Sequence, residues 1–328
     1  MTQSGLDLPG RATVARGAGS GRARRGQPPV PLRFRLEAAA ARASLAVLRA
    51  LGPVAASNSA GSIARTLGPL LPVSRVADAN LRMAFPAFDA AKRRAVIRGV
   101  WENLGRTVGE LPHIPFLSRD TPAGPGWEAE GDEILAEMGA GGGPAILFSG
   151  HFGNWEMLPA VAAACGTPFS SMYRASANPM IDAMIRDLRR QAMGVDMPLF
   201  PKGAQGARAA LVHMSRGGRL GLLMDQKMND GISATFFGRP AMTAPALAVL
   251  ALRFRCPVIP GYLLRVGPAR FRLVVEPPLP LPDTGDRSRD VALLTQNVND
   301  RLEAWVRQWP EGWLWLHRRW PKNQSHSA

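Results

Sequence analysis

The chain has 328 residues and contains few of the side chains that build disulfide frameworks and metal sites. Its two cysteines, Cys165 and Cys256, lie in apolar surroundings, and its five histidines form no cluster with them at metal-ligand spacing. This pattern predicts neither a disulfide framework nor a zinc knuckle, and it suits a reduced, cytosolic setting. We therefore expect no metal and no cofactor.

Acidic residues are also scarce, because 25 Asp and Glu stand against 40 Lys and Arg, for a net charge of +15. Such a surplus suits a polyanionic partner: anionic lipid, a phosphorylated glycolipid, an acidic carrier protein or nucleic acid. The first 34 residues have few aromatics and many Arg, Gly and Pro. We expect them to form a disordered basic tail, either an arm on anionic headgroups or a solvated segment. The tail lacks the apolar core and small-residue cleavage site of a secretory signal.

No uninterrupted apolar run reaches the roughly 18 to 20 residues of a membrane-spanning helix. Residues 35–53 come closest, and they predict a helix that ends at Gly52-Pro53. Arg35, Arg42 and Arg49 recur every seven residues and so share one stripe of this helix. The pattern favours an interfacial helix with snorkelling arginines. A helix packed on the protein's own core, or a re-entrant or single-pass anchor, stays open.

From residue 145 onward, predicted strands and helices alternate along the chain. This alternation predicts an α/β fold with a mostly parallel central sheet flanked by helices. Strands are predicted at 145–149, 168–173, 197–200, 219–224, 257–264 and 270–276. Helices are predicted at 154–165, 178–193, 203–216, 243–254 and 288–308. The domain prediction is a tail at 1–34, a helical membrane-associated region at 35–118, an α/β domain at 119–322 and a tail at 323–328.

His151 and Glu156 are the first candidate catalytic residues. His151 follows the apolar run 145–149 and Gly150, and Glu156 lies five residues further on. Residues five apart on one helix point away from each other, so the pair can meet only if His151 lies in a turn and Glu156 in the first turn of the next helix. A carboxylate on one imidazole nitrogen fixes the tautomer and raises the basicity of the other nitrogen. The pair would then act as a general base on a hydroxyl. An isolated His-x4-Glu spacing is common, so the alternative is an unremarkable surface pair.

Several short segments together resemble the late acyltransferases of lipid A biosynthesis, the lauroyl/myristoyl transferase family within the lysophospholipid acyltransferase-like superfamily. They occur in the order typical of that family and cover about residues 75–322. The segments are residues 80–86 (NLRMAFP), 149–156 (SGHFGNWE), 172–179 (MYRASANP), 221–226 (GLLMDQ), 236–241 (FFGRPA) and 313–319 (WLWLHRR).

The resemblance implies acyl transfer from acyl carrier protein to a hydroxyl of a lipid A precursor or related glycolipid. His151 would be the base and Glu156 its orienting carboxylate. Arg174 and Asp225 directly follow predicted strands, so both should lie at the same edge of the sheet as His151. By the resemblance, Arg174 would hold a substrate phosphate or the acyl carbonyl region, and Asp225 would hold Arg174 or bind the sugar. The departure from the family pattern at Gln226 and Lys227 leaves the detail of that loop open.

Further predicted contacts come from the turn and from an aromatic pair. The backbone amides of residues 153–155 are candidates for stabilising the oxyanion, which makes Gly153 and Asn154 substrate-binding residues. Phe236 and Phe237 would wall an acyl groove, and a plain core turn is the alternative. The resemblance places the enzyme at the cytoplasmic face of the inner membrane, in contact with anionic lipids.

Five of the eight tryptophans fall between residues 305 and 320, interleaved with basic residues. Tryptophan beside cations favours a bilayer interface, and it also suits stacking on nucleic-acid bases. We favour the interface and expect no nucleic acid; a structural C-terminal cluster is the alternative. Other acceptors, such as a mannosylated phosphoinositide or an aminolipid with acyl-CoA as donor, stay open. So do a non-catalytic basic binding protein and a serine hydrolase using Ser149.

Overall fold

A computed structural model describes residues 30–119, 121 and 123–321 of the chain. Most of the predicted N-terminal tail and all of the C-terminal tail at 323–328 lie outside these residues. The first helix already begins at Leu32, so the last three residues of the predicted disordered tail are helical.

The described residues form nine α-helices and nine strands. The helices are α1 (Leu32–Leu67), α2 (Ser74–Ala84), α3 (Ala90–Glu110), α4 (Glu133–Gly141), α5 (Leu158–Ala164), α6 (Pro179–Met193), α7 (Ala204–Ser215), α8 (Ala246–Phe254) and α9 (Arg287–Gln308). The strands are β1 (Gly126–Glu130), β2 (Ala145–Ser149), β3 (Ser170–Tyr173), β4 (Leu199–Pro201), β5 (Arg219–Leu223), β6 (Lys227–Phe236), β7 (Arg239–Thr243), β8 (Val258–Gly267) and β9 (Arg270–Val275).

Seven strands make the central sheet, in the order β1-β9-β8-β2-β5-β3-β4. All neighbouring pairs are parallel except β8 and β9. The expected α/β class with a mostly parallel sheet is confirmed. Strands β2, β3, β4, β5 and β8 therefore run the same way, and their carboxyl ends meet at one edge, where ligands of open α/β sheets bind.

The predicted strands and helices from residue 145 onward are all present, with ends shifted by a few residues. Strand β2 illustrates why a short apolar run predicts a strand here. Its apolar residues are covered on both faces, as parallel strands require. Ile146 and Phe148 belong to one cluster of buried apolar side chains, and Leu147 packs against another. Alternate residues of a strand point to opposite faces, so the sheet lies between two cores.

Helix α6 begins as the sequence predicts. Asn178 caps it, because its side-chain oxygen accepts hydrogen bonds from the backbone of Met180 and Ile181, and Pro179 occupies the first helical position. Gly194 ends it in the left-handed conformation, with φ of +66°.

One element was not predicted, an antiparallel hairpin of β6 and β7 that forms a separate two-stranded sheet. Sequence reasoning placed only a turn near Phe236. The first half of β6 is polar and carries no apolar alternation that would have indicated a strand.

Helix α1 kinks at the predicted boundary and then continues. Gly52 has a φ of +74°, and a second helical segment runs from Pro53 to Leu67. This second segment packs on α3 through small residues, since a Cβ added at Gly105 or Gly109 would meet the backbone of Ala60 or Ala56 at 2.4–2.5 Å. Only close-packed small residues allow two helices to approach so nearly.

The stretch Leu32–Leu70 is long and apolar enough, by length and composition, to cross a membrane. Within this stretch, only 6% of the most apolar 18-residue segment is buried. The alternative of a helix packed on the protein's own core therefore does not hold for that segment. The exposed apolar side chains include Leu36, Val47 and Leu51. This surface is compatible with membrane association.

The expectation that the C-terminal tryptophans lie at a bilayer interface is wrong for most of them. Trp305, Trp313, Trp315 and Trp320 are each at most 2% exposed, whereas Trp309 is 40% exposed. Four of the five therefore belong to the core and are not available to a bilayer interface. The structural alternative is the one that the fold adopts.

Candidate active site

The candidate site forms where β2 and β5 end side by side at the carboxyl edge of the sheet. The two strands are adjacent and parallel, and Ser149 lies opposite Leu223. His151 and Asp225 are each two residues beyond these positions, so the strand register brings them together. The imidazole Nδ1 lies 2.9 Å from Oδ1 of Asp225.

Asp225 is fully buried and its carboxylate accepts three hydrogen bonds. The donors are the backbone N–H of His151 at 2.9 Å, the ring Nδ1 of His151 and the indole Nε1 of Trp313 at 2.8 Å. Burial raises the pKa of Asp225, but the charge and hydrogen bonds of His151 outweigh it and hold this pKa well below its usual range. The carboxylate is therefore ionised, and it can only accept hydrogen bonds.

This arrangement favours one tautomer of His151. Because ionised Asp225 can only accept, Nδ1 carries the proton, and Nε2 keeps a free electron pair when the ring is neutral. Burial lowers the pKa of His151, but the charge and hydrogen bond of Asp225 leave it raised above its ordinary value. Nearby Lys202 opposes this shift and Glu156 adds to it. The side chain is 18% exposed, so part of it is accessible from solvent.

Glu156 does not occupy the position that sequence reasoning gave it. It lies in the 3-10 turn Trp155–Met157 that precedes α5, as expected for the first turn of the next helix. Its carboxylate, however, is held by both Nε and Nη2 of Arg189 on α6, at 2.9 and 2.7 Å. The planar guanidinium matches a carboxylate in this two-bonded geometry. Nδ1 of His151 is bonded to Asp225, so the carboxylate that holds the ring follows β5 and is not the one given by the His-x4-Glu spacing.

Asp225 therefore does not have the role expected of it, which was to hold Arg174 or a sugar. Its carboxylate is bonded instead to His151 and Trp313. Arg174 does lie directly after β3 at the predicted edge of the sheet, and it is exposed. Lys202, which follows β4, joins it there, because its backbone N–H donates to the carbonyl of Tyr173 at 2.8 Å. The edge beside His151 is therefore basic.

The turn that carries His151 is fixed from two sides. The N–H of Gly153 donates to the carbonyl of Gly312 at 2.9 Å, and Asn103 donates to the carbonyl of Gly153 at 2.9 Å. Asn154 is fully buried, and its side-chain amide donates to Glu110 at 2.8 Å. The backbone amide of Gly153 is thus engaged within the protein, contrary to its expected contact with the oxyanion. Because Asn154 is fully buried and Trp155 is partly exposed, the backbone amide of Trp155 is the remaining candidate of the three predicted donors.

Glu110 is the centre of the buried network beneath this turn. Its carboxylate binds Arg265 on β8, the hydroxyl of Ser57 on α1 at 2.7 Å and the backbone N–H of Ala269 at 3.1 Å. Arg265 also donates to Asn103, which holds Gly153. The network ties α1, α3, β8 and the catalytic turn to one another.

Gly153→Ala is expected to destabilise the fold strongly. Gly153 has φ of +56°, and an added Cβ would lie 1.7 Å from the carbonyl oxygen of Leu263. The strained backbone and the clash together should lower the free energy of unfolding by about 3 kcal/mol or more. Gly194→Ala is the matched control, since it has a similar φ with open space around it, and it should cost about 1 kcal/mol. Denaturant unfolding of both variants checks this; equal losses would contradict the close approach to Leu263.

Phe236 and Phe237 do not line an open groove. Phe236 is fully buried and Phe237 is 6% exposed, and both pack among aromatic rings that include Trp315 and Trp320. The core-turn alternative describes them better than the acyl-groove expectation does. Ser149 is also buried, and among the described residues its hydroxyl has no hydrogen-bond partner. It is not bonded to His151, as a serine nucleophile would be.

The C-terminal segment is a part of the site that sequence reasoning missed. The carbonyl of His151 accepts from the N–H of Leu314 at 2.9 Å, and Trp313 donates to Asp225. Nε2 of His317 lies 3.2 Å from the backbone carbonyl of Asp225. Asn80 bonds the carbonyls of Trp315 and His317 at 2.9 and 2.7 Å. The motif at 313–319 is the sequence signal for this segment, although its tryptophans beside arginines favour a membrane interface in sequence.

Trp313→Phe is expected to weaken the fold and to shift the pH dependence of catalysis. The loss of a hydrogen bond to a buried carboxylate and of ring volume should cost about 2–4 kcal/mol. With one hydrogen-bond donor fewer, the Asp225 carboxylate would interact more strongly with the protonated ring of His151. The pKa of His151 should therefore rise further. The acidic limb of the kcat/KM profile would then move to higher pH.

Trp315→Phe is the control, because Trp315 is equally buried and donates to the carbonyl of Pro310, not to Asp225. It should lose stability while the acidic limb stays in place. An acidic limb that moves equally in both variants would contradict a specific role of Trp313.

Comparison with known proteins identifies the family. Residues 36–322 match the family model described as bacterial lipid A biosynthesis acyltransferase. The chain is also 24% identical over 245 residues to a lipid A biosynthesis acyltransferase of Haemophilus influenzae, a match that covers 73% of each chain.

Proposed function

The chain belongs to the bacterial lipid A biosynthesis acyltransferase family, and from that premise we propose that it transfers a fatty acyl chain from acyl carrier protein to a hydroxyl of a lipid A precursor. The family supports acyl transfer in lipid A synthesis and an O-acyltransferase activity. The observation that carries the mechanism is the contact between Nδ1 of His151 and buried Asp225 at the edge of the sheet.

In the proposed reaction, Nε2 of His151 takes the proton of the acceptor hydroxyl. The hydroxyl oxygen attacks the thioester carbonyl, and a tetrahedral oxyanion forms. The C–S bond then breaks, and the imidazolium returns its proton to the leaving thiolate of the carrier. Asp225 holds the ring in the required tautomer and stabilises the imidazolium. No side chain of the enzyme becomes acylated.

Two further groups have proposed roles in this scheme. The backbone amide of Trp155, at the start of the turn before α5, is suited to stabilising the oxyanion. Exposed Arg174, with Lys202 beside it, is suited to a substrate phosphate. Glu156, whose catalytic role stays a prediction, adds negative charge near His151 and anchors the turn to α6 through Arg189.

We place the enzyme at the cytoplasmic face of the inner membrane, in contact with anionic lipids. The exposed apolar surface of α1 and the net charge of +15 support this location. The same positive charge favours docking of an acidic carrier protein.

The test is an acyl-transfer assay with purified protein in detergent. Acyl carrier proteins with a range of chain lengths are supplied with a tetra-acylated lipid A precursor, and mass spectrometry follows the acceptor. A mass gain of one acyl chain in the wild type, absent in His151→Ala, is the expected result. No gain with any carrier-bound chain from folded protein would defeat the lipid A assignment. Parallel reactions with acyl-CoA and a mannosylated phosphoinositide would then test the other acceptor.

A further inference from the structure

A groove with a volume of about 540 Å³ lies between α1 and α6, away from the residues assigned to catalysis. Helix α1 lines it with Arg42, Leu45, Ala46 and Arg49, which recur at the three- and four-residue spacing of one helical face. The lining residues of α6 follow the same spacing: Met180, Ala183, Met184, Asp187, Leu188 and Gln191. Two helical faces therefore oppose each other along the groove.

The two faces differ in character. Helix α6 contributes a mainly apolar floor, whereas α1 adds two cations two helical turns apart. Asp187 is the acidic residue of the lining, and its carboxylate lies 3.2 Å from Nη1 of Arg190. The groove consequently offers an apolar surface beside an excess of positive charge.

The position of the groove is fixed by Asn178, the cap of α6. Its side-chain amide donates to the carbonyl of Phe34 at 2.9 Å and to Glu37 at 2.8 Å, and so fastens the start of α6 to the start of α1. Helix α1 exposes Leu36, Val47 and Leu51 along the same segment. The groove is therefore built into the part of the surface that carries the exposed apolar helix.

We propose that this groove binds one anionic glycerophospholipid, with the headgroup phosphate between Arg42 and Arg49 and an acyl chain on the apolar face of α6. An inorganic phosphate would leave the apolar floor uncovered, and a neutral lipid would leave both guanidiniums without an anion. The volume lies within the usual range of about 300–1,000 Å³ for small-molecule sites. The proposal rests on the membrane association proposed above, but not on the identity of the acyl acceptor.

Calorimetry with short-chain phosphatidylglycerol, kept below its micelle concentration, tests the site. The full chain should bind it saturably at one site and bind short-chain phosphatidylcholine at least about tenfold more weakly. Arg42→Gln/Arg49→Gln should lose at least about tenfold in affinity. Arg33→Gln/Arg35→Gln removes the same charge from the same helix outside the groove lining and should bind as the wild type does.

Ala183→Trp fills the floor of the groove without changing its charge. It should abolish saturable binding of the short-chain lipid while its thermal unfolding and its KM for the lipid A precursor stay unchanged. Equal affinity for phosphatidylcholine, equal losses in the two arginine double variants, or unchanged binding in Ala183→Trp would overturn the proposal. So would a raised KM for the precursor in Ala183→Trp, because the groove would then belong to the acceptor. Binding is measured without turnover, so lipid binding by a protein inactive on lipid A precursors would refute the proposed function alone.

Discussion

His151→Ala lowers kcat for acyl transfer by about 10²–10⁴-fold, the usual contribution of a general base. The variant removes the nitrogen that takes the hydroxyl proton and leaves the substrate contacts proposed for Arg174 in place. KM for the lipid A precursor should therefore change much less than kcat. Steady-state kinetics with mass-spectrometric detection of the acceptor measures both.

The pH dependence of wild-type activity is a second test of the role of His151. Catalysis needs the neutral ring, and Asp225 leaves the pKa of His151 above its ordinary value of 6.5. Activity should consequently fall as the pH drops through a pKa above 6.5, and His151→Ala should lose this limb. A variant that keeps near-wild-type kcat with an unchanged acidic limb would show that His151 is not the base.

Asp225→Asn should have the second largest effect, a fall in kcat of about 10²–10⁴-fold. The uncharged amide neither stabilises the imidazolium nor secures Nδ1–H as the tautomer. Since Asp225 raises the pKa of His151, its neutralisation should also move the acidic limb to lower pH. Rate and limb thus change together, which loss of folding alone would not produce.

Glu156→Gln is the matched comparison, because it also neutralises a carboxylate near His151. Glu156 is bonded to Arg189, and both side chains are partly exposed, so its loss should lower kcat by less than about tenfold. Circular dichroism and thermal unfolding would establish that both variants are folded. A larger loss in Glu156→Gln than in Asp225→Asn would restore the pairing inferred from the His-x4-Glu spacing.

The sequence placed His151, Arg174 and Asp225 at one edge of the sheet, because each follows a recognisable strand and parallel strands end together. It did not identify which carboxylate meets the imidazole. That choice depends on β5 lying between β2 and β3, an order fixed by tertiary packing. Glu156 is five residues from His151 and Asp225 is 74, so local spacing favoured the wrong neighbour.

The tryptophans near the C-terminus show a second limit. Tryptophan beside arginine fits a bilayer interface and a buried cluster equally well in sequence, because the ring has a large apolar body and one polar N–H. The deciding fact is that Trp313 reaches Asp225 and that Trp315 reaches Pro310. Asp225 lies 88 residues from Trp313 and leaves no local pattern, whereas Pro310 lies only five residues before Trp315. The hairpin of β6 and β7 was missed because the first half of β6 is polar and its register with β7 is interrupted between Lys227 and Ile232, so no apolar alternation indicates a strand there.

The most direct test of the proposed base is the protonation of the His151 ring, observed by nitrogen NMR on histidine-labelled protein and assigned with His151→Ala. The account predicts a neutral ring with its proton on Nδ1 and a pKa above 6.5. This pKa should stay above 6.5 in Glu156→Gln and should be lowered in Asp225→Asn. A proton on Nε2 in the neutral ring, or a pKa that responds to Glu156→Gln and not to Asp225→Asn, would contradict it.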